Sequence, residues 1–270
     1  MKSKRLLAVA SALTLCASLT TATAAQAATI TMSGSTSIAP LATKLAKAFL
    51  HSPKGQGNKV VILQGGSDIG ITDVSRGRVT LGMSSRDPKP ADPGGIVFNK
   101  FARDAVCVVS NPSNKIPTLS QAQVQDVFSG RVRSWSQVAG ATASGPIDLV
   151  VRTAASGTQD AFQNIFMGTT LRVAASATTK SSNGLQAQTI KSDPNAIGYA
   201  SFAFTGGLHT IPYQGVPCTL RNAKSGQYAG SRNFFFVSRG AAKGLAKSFI
   251  TFARSSQGQA IVASDWVPLR

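Results

Sequence analysis

The feature that most constrains this chain is a junction that recurs along it, in which a short apolar strand ends in small hydroxyl or glycine residues that open a helical pattern. It stands at Gly34-Ser35-Thr36-Ser37, at Gly65-Gly66-Ser67 and at Ala155-Ser156-Gly157-Thr158. Thr29 to Met32, Lys59 to Leu63 and Val79 to Met83 read as strands, and strands alternating with helices specify an α/β sheet. In the first helical pattern Ile38, Leu41, Leu45, Ala48 and Phe49 share one stripe, with Lys44 and Lys47 off it. In the second, Ile69, Ile71 and Val74 follow the paired glycines. A Pro and Gly stretch from Pro88 to Gly95 then precedes two further strands, Ile96 to Phe98 and Arg103 to Val109. Beyond them the pattern predicts a helix around Gln121 to Phe128, a strand at Asp148 to Arg152, and a helix from near Thr158 with Ala161, Phe162, Ile165 and Phe166 inward. A strand at Phe234 to Val237 and a terminal helix marked by Leu245, Phe249, Ile250 and Phe252 complete it.

The junctions also carry chemistry. The first turn of a helix leaves up to four backbone N–H groups unpaired and about half a positive charge, and glycine lets an anion approach the backbone. One such end is an N-cap like any other. Several that converge can hold a multivalent oxyanion without a metal. Arg152, four residues before Ser156 at the end of an apolar strand, adds a guanidinium that could fork onto two oxygens.

Composition excludes several alternatives. The chain has 270 residues, enough for two domains, and only 14% of them are charged while 43% are hydrophobic, which fits neither a disordered protein nor a coiled coil. Every acidic residue is Asp, ten in all and scattered, so paired carboxylates for acid–base work are hard to assemble. His51 and His209 are the only histidines. Neither stands at ligand spacing to a Cys or His, so no metal is expected, and no base is evident for a serine nucleophile. A hydrolase is the first rival reading, and it lacks a G-x-S-x-G elbow, an S-x-x-K pair and a Walker A sequence. The formal charge of +18 raises a second rival, a basic surface protein for nucleic acid or phosphate polymers. Its basic residues are spread from Lys44 to Arg270 without a dense block, so no nucleic-acid partner is expected.

Lys2, Lys4 and Arg5 precede an apolar run from Leu6 to Leu19, and Ala25-Gln26-Ala27 has the form of a signal-peptidase site. Residues 1–27 therefore read as a cleaved signal peptide, with cleavage near Ala27 and a periplasmic or secreted product. Ser11, Thr14, Ser18, Thr20 and Thr21 interrupt the run before the ~20 apolar residues of a membrane span. Leu15 before Cys16 argues against lipid attachment. Removing the three basic residues from +18 leaves +15. Two cysteines remain, Cys107 and Cys218; an even count in an oxidising compartment favours a bridge, whereas the strand Ala105 to Val109 would equally bury a free Cys107 as a small hydrophobe.

Taken in order, Gly34-Ser35-Thr36-Ser37-Ile38-Ala39-Pro40-Leu41, Gly65-Gly66-Ser67, Gly82-Met83-Ser84-Ser85-Arg86, and Arg152 with Ser156-Gly157-Thr158 resemble the periplasmic phosphate-binding proteins of ABC phosphate importers. The likeness runs over nearly the whole chain after the signal, through Ala196-Ile197-Gly198-Tyr199, Ser225-Gly226-Gln227-Tyr228 and Gly258-Gln259-Ala260-Ile261-Val262. It implies an α/β, two-lobed periplasmic-binding-protein fold with hinge strands and the ligand in a cleft. Lobe 1 would comprise residues 28–107 and 231–270, and lobe 2 residues 108–230. Thr36, Ser37, Ser67 and Ser85 would bind phosphate from the first lobe, and Arg152, Ser156, Gly157 and Thr158 from the second. The resemblance implies a monomer, no cofactor, no enzymatic activity, and an ABC permease as partner. Two departures from the family pattern stand out. Ser85 occupies a position where some members carry an Asp that accepts the proton of hydrogenphosphate, and Ala154 lies where many carry an acid beside the arginine. A third rival therefore keeps the fold and changes the ligand to sulfate, arsenate or another tetrahedral oxyanion.

Overall fold

A parallel trio of strands, β1 (Thr29–Gly34), β2 (Lys59–Gln64) and β3 (Leu81–Ser84), opens the computed structural model, which describes residues 27–269. The segment read as a signal peptide, with Cys16, precedes Ala27 and lies outside the described residues. Helix α1 (Ala39–Leu50) links β1 to β2 and buries Leu41, Leu45 and Phe49, with Ile38 just before it fully buried. Helix α2 (Ser67–Ser75) buries Ile71 and Val74. Ile69 is 44% exposed, because it stands two residues from Ile71, an angular step of about 200° on a helix.

The two strands expected on either side of Lys100 are one. Strand β4 (Ile96–Ser110) runs unbroken for 15 residues and tolerates the polar interruption through a register shift between Lys100 and Ala102. Its antiparallel partner β9 (Ser231–Arg239) also pairs with β3, so these two long strands carry the sheet from one half of the molecule to the other. The second half contains α3 (Gln121–Phe128), β5 (Asp148–Arg152), α4 (Gly157–Phe162), β6 (Thr178–Lys180), α5 (Asn183–Ser192), β7 (Ala196–Ser201), β8 (His209–Thr210) and α6 (Leu220–Ser225). Strand order is β2-β1-β3-β9-β4-β7-β5-β6, with β8 beside β4. The inward run after α4 is a turn of π-helix, Gln163–Met167, that buries Phe166 and leaves Ile165 partly exposed.

Two large hydrophobic cores result, beside a small cluster of Ile71, Val74, Phe235 and Val237. One gathers Ile30, Leu41, Phe49, Phe101, Phe234 and Phe249, and includes α7 (Gly244–Arg254) and α8 (Ser256–Asp265). The other gathers Val106, Val108, Phe128, Trp135, Phe162 and Tyr199. Cys107 and Cys218 form a disulfide inside this second core, with Cα atoms 5.7 Å apart, which decides between the two readings of Cys107. Lobe 1 and lobe 2 name these halves below. No helix among the described residues is long and apolar enough to cross a membrane.

Candidate functional site between the lobes

The three junctions meet. Parallel strands β1 and β2 both end at the same level, Gly34 opposite Gln64, so the turns that follow them lie side by side. Strand β3 brings Ser85 to the same edge, where the Ser85 N–H donates to Ser67 Oγ at 3.0 Å. From lobe 2, β5 delivers Arg152 and the start of α4. Ser37 Oγ and Thr158 Oγ1 then lie 2.9 Å apart across the cleft. The Asp68 N–H donates to the Ala155 carbonyl at 3.1 Å, a direct backbone link between lobes.

Close approach requires glycine at two points. A Cβ on Gly157 would fall 2.3 Å from Ser67 Oγ and 2.7 Å from Ser85 Oγ, and one on Gly66, whose φ is +112°, would fall 2.7 Å from the Ala155 carbonyl oxygen. Thr36, Ser37, Ser67, Ser85, Arg152, Ser156 and Thr158 are all at most 4% exposed. All eight residues singled out by the sequence thus belong to one buried cluster.

Their roles are not equal. Ser156 accepts from the Thr158 and Gln159 N–H groups, so its side chain caps α4 as well as lining the cleft. The Arg152 guanidinium is pinned: Nε donates to the Lys180 carbonyl at 3.0 Å and Nη2 to the Ser181 carbonyl at 2.7 Å. Burial pushes its pKa down to about 10, opposed by the Tyr199 hydroxyl and reinforced by the positive charge of Arg232. Ser85 Oγ accepts from Ser35 Oγ at 2.8 Å and from Arg232 Nη1 at 3.4 Å. With both lone pairs engaged its remaining capacity is as a donor, and Ser67 Oγ lies 3.3 Å away. Arg86 turns away from the cleft onto Asp68 and Asp92, at 2.7 and 2.6 Å, so it is not an anion ligand.

Four buried residues, Asn183, Arg232, Asp104 and Ser201, were not singled out from the sequence. Asn183 opens α5 from the lobe 2 side, and its amide oxygen, in the orientation its neighbours require, accepts from Arg152 Nη1 (3.0 Å), Ser37 Oγ (2.9 Å), Thr36 Oγ1 (2.8 Å) and the Ser37 N–H (3.3 Å). Arg232 on β9 stands directly opposite Asp104 on β4. It donates from Nε and Nη2 to Asp104 Oδ2 at 3.0 and 2.7 Å, and its outer nitrogens reach Ser37 Oγ at 2.8 Å and Thr158 Oγ1 at 2.9 Å. Ser201 Oγ donates to the same Asp104 oxygen. The sequence signal for this pair was a single acid inside a strand buried on both faces, since a charge in such a position requires a partner.

Neither histidine approaches the cluster. His51 caps α1 at the surface, and His209 Nε2 bonds to the Ile116 backbone. No group of three metal-binding side chains occurs among the described residues.

A family profile described as a PBP superfamily domain matches residues 19–257. The chain belongs to this superfamily. Among curated proteins, the phosphate-binding protein PstS of Bacillus subtilis is 26% identical over 241 residues, covering 87% of this chain and 78% of its own length. A Clostridium perfringens chain, assigned as a phosphate ABC transporter substrate-binding protein and solved with bound phosphate, is 30% identical. It superposes with a TM-score of 0.84 over 90% of this chain and 100% of its own. An ABC-type phosphate transport receptor from Vibrio cholerae, 24% identical, shares the fold with a TM-score of 0.72 over 89% of this chain and 100% of its own. Membership of this superfamily makes the chain a solute-binding protein of two-lobed α/β fold and not an enzyme.

Proposed function

We propose that this chain captures inorganic phosphate between its two lobes, outside the cytoplasm, and delivers it to an ABC importer. The observation that carries the reading is the convergence of four donors, the Arg152 guanidinium, two hydroxyls and a backbone N–H, on a single oxygen atom at the lobe junction. Donors on one lobe and an anchored arginine on the other suit a tetrahedral oxyanion, whose oxygens each accept several hydrogen bonds. On this reading a phosphate oxygen takes the place of the Asn183 amide oxygen. Thr36, Ser37, Ser67 and Ser85 hold the anion from residues 28–107, and Arg152, Ser156, Gly157 and Thr158 from residues 108–230, with 231–270 returning to lobe 1. The change of core between Ala102 and Ala105, and again between Tyr228 and Phe234, supports two crossings between lobes near those bounds, with Ala105, Val106 and Cys107 packing in the second core. Delivery would be by a monomer, released by cleavage near Ala27, to a membrane permease, with no nucleic acid involved.

One observation favours a second ligand. The cluster residues named by the sequence include no carboxylate, and the Ser85 lone pairs are engaged, so nothing there rejects an oxyanion without a proton. Calorimetric titration of ligand-stripped protein with phosphate and then sulfate tests both. Saturable heat from phosphate at one site per chain is expected, with sulfate competing weakly. Absence of any phosphate binding overturns the proposal, and equal affinities transfer it to tetrahedral oxyanions as a class.

A further inference from the structure

We infer that Arg232, contributed by the strand that joins the lobes, is a second anion-binding guanidinium of this site, and that Asp104 positions it. The inference rests on the phosphate reading above and assigns it a residue outside the eight already named. Arg232 is 5% exposed and Asp104 1%. Their strands are paired in register, so the two side chains leave adjacent backbones on the same face of the sheet. Asp104 takes the inner edge of the guanidinium, leaving Nη1 and part of Nη2 to point at Ser37 and Ser85 of lobe 1 and Thr158 of lobe 2. It is the one side chain in the cluster that reaches hydroxyls of both lobes at once.

The direction of these hydrogen bonds matters. Each of the three hydroxyls accepts from Arg232, which leaves its own proton to donate; in the Ser37–Thr158 pair one of the two protons goes to the partner hydroxyl, and with Ser37 donating to the Asn183 oxygen that proton is the one on Thr158. Arg232 thereby biases these hydroxyls, which could face either way, toward donation, with Ser37 aimed at the junction and Thr158 donating to Ser37 behind it. A cavity of about 350 Å³ at the cleft margin is lined by Arg86, Lys89, Arg103, Asp160, Asn164 and Arg232, among others. Arg232 borders both this cavity and the hydroxyl cluster, where an incoming anion would meet it. Burial lowers the Arg232 pKa, with Asp104 opposing. A second anion relieves that penalty, which Asp104 relieves only in part because one of its oxygens, Oδ1, has no hydrogen-bond partner and the other carries all three contacts.

Removing Arg232 alone strands a buried carboxylate and endangers folding. The decisive protein is therefore the double variant Arg232→Gln/Asp104→Asn, which removes one positive and one negative charge and leaves the net charge of the site unchanged. Its phosphate dissociation constant, measured by calorimetry beside a thermal melt, is expected to rise at least about tenfold while unfolding stays cooperative. Arg232→Lys, which keeps the charge and the Asp104 contact but loses the fork, should fall between. Wild-type phosphate affinity in a cooperatively folded double variant overturns the inference. If the double variant does not fold, Arg232→Lys decides: affinity equal to wild type overturns it, and a severalfold loss upholds it. A wild-type protein that binds no phosphate would instead sink the phosphate reading itself, so the two failures are distinguishable.

Discussion

Arg152 divides its donors between the scaffold and the lobe junction. Two are spent on the carbonyls of Lys180 and Ser181, which fix the plane of the guanidinium, and one Nη1 donor is aimed at the position where the hydroxyls of Thr36 and Ser37 converge. No acid adjoins it, and burial weakens its hold on its proton, so on the proposed reading a bound anion would be its principal counter-charge. Arg152→Ala is expected to cost about 2 to 5 kcal/mol of phosphate binding, and Arg152→Lys part of that, as calorimetry would show. Unchanged affinity in Arg152→Ala would place the anion elsewhere. Gly157 makes a separate, steric test. A methyl there collides with Ser67 and Ser85 only when the lobes are together, so Gly157→Ala should weaken binding by about 1 to 3 kcal/mol while the melt of the unliganded protein changes little. The hydroxyls and Arg152 were legible because they recur at strand ends beside glycine. Arg232 and Asp104 were not, because each stands in a strand that carries other charges, Lys100 and Arg103 on β4 and Arg239 on β9, and only the register of β4 against β9 reveals that the two face one another.

The elements explain which parts of the fold could be read in advance. Helix α3 and strand β5 lie where periodicity placed them, since each is bounded by a clear signal: the Ser120 capping box for α3, and the turn after Arg152 for β5. β4 was split because Asn99 and Lys100 are polar at mid-strand, and a bulge absorbs them. α5 and α8 carry weak apolar stripes; only Ile190 and Val262 among their large apolar residues are buried, so tertiary contact and not pattern makes them helices. The loop after β3 is held by a charge cluster with a pH signature. Desolvation would raise the Asp92 pKa, but the hydrogen bonds from Arg86 and the Lys89 N–H outweigh it and hold the carboxyl below its ordinary value. Folding therefore favours the ionised form, and the stabilisation is complete above the ordinary carboxylate range and lost as pH falls through the folded-state value. Asp92→Asn should lower stability by about 1 to 3 kcal/mol at neutral pH. The difference from wild type should shrink as pH drops below about 4. Thermal melts of both proteins across that range check it, and a constant difference down to the lowest pH would show that Asp92 acts by packing alone.

For the whole molecule the proposed function makes ligand binding and lobe closure one equilibrium. The hydrogen bonds and ion pairs between lobes include the Asp68–Ala155 backbone bond, the Ser37–Thr158 hydroxyl pair, Arg232 on Thr158, Ser201 on Asp104, Asn183 against Thr36 and Ser37, Lys224 on the Ala263 carbonyl, and the Lys89–Asp160 ion pair. Each lobe has its own core, and β4 and β9 join them, an arrangement suited to hinge closure about those strands. An anion that completes the junction adds donors from both sides and so stabilises the closed, folded chain over every other state. By mass action, phosphate at 100 times its dissociation constant should add about 2.7 kcal/mol of stability, which for a chain of this size is a rise of about 5 to 10 °C in melting temperature. The charge surplus of the chain would give any polyanion a weaker, surface-bound effect, and salt separates the two. A shift due to the buried junction should persist at high ionic strength, because charges out of water are poorly screened. It should also vanish in Arg152→Ala, which changes the surface not at all. Melts of dialysed protein with phosphate at low and at 0.5 M (about three times physiological) sodium chloride decide the matter: a shift that disappears with salt alone would assign the stabilisation to the basic surface and not to the site between the lobes.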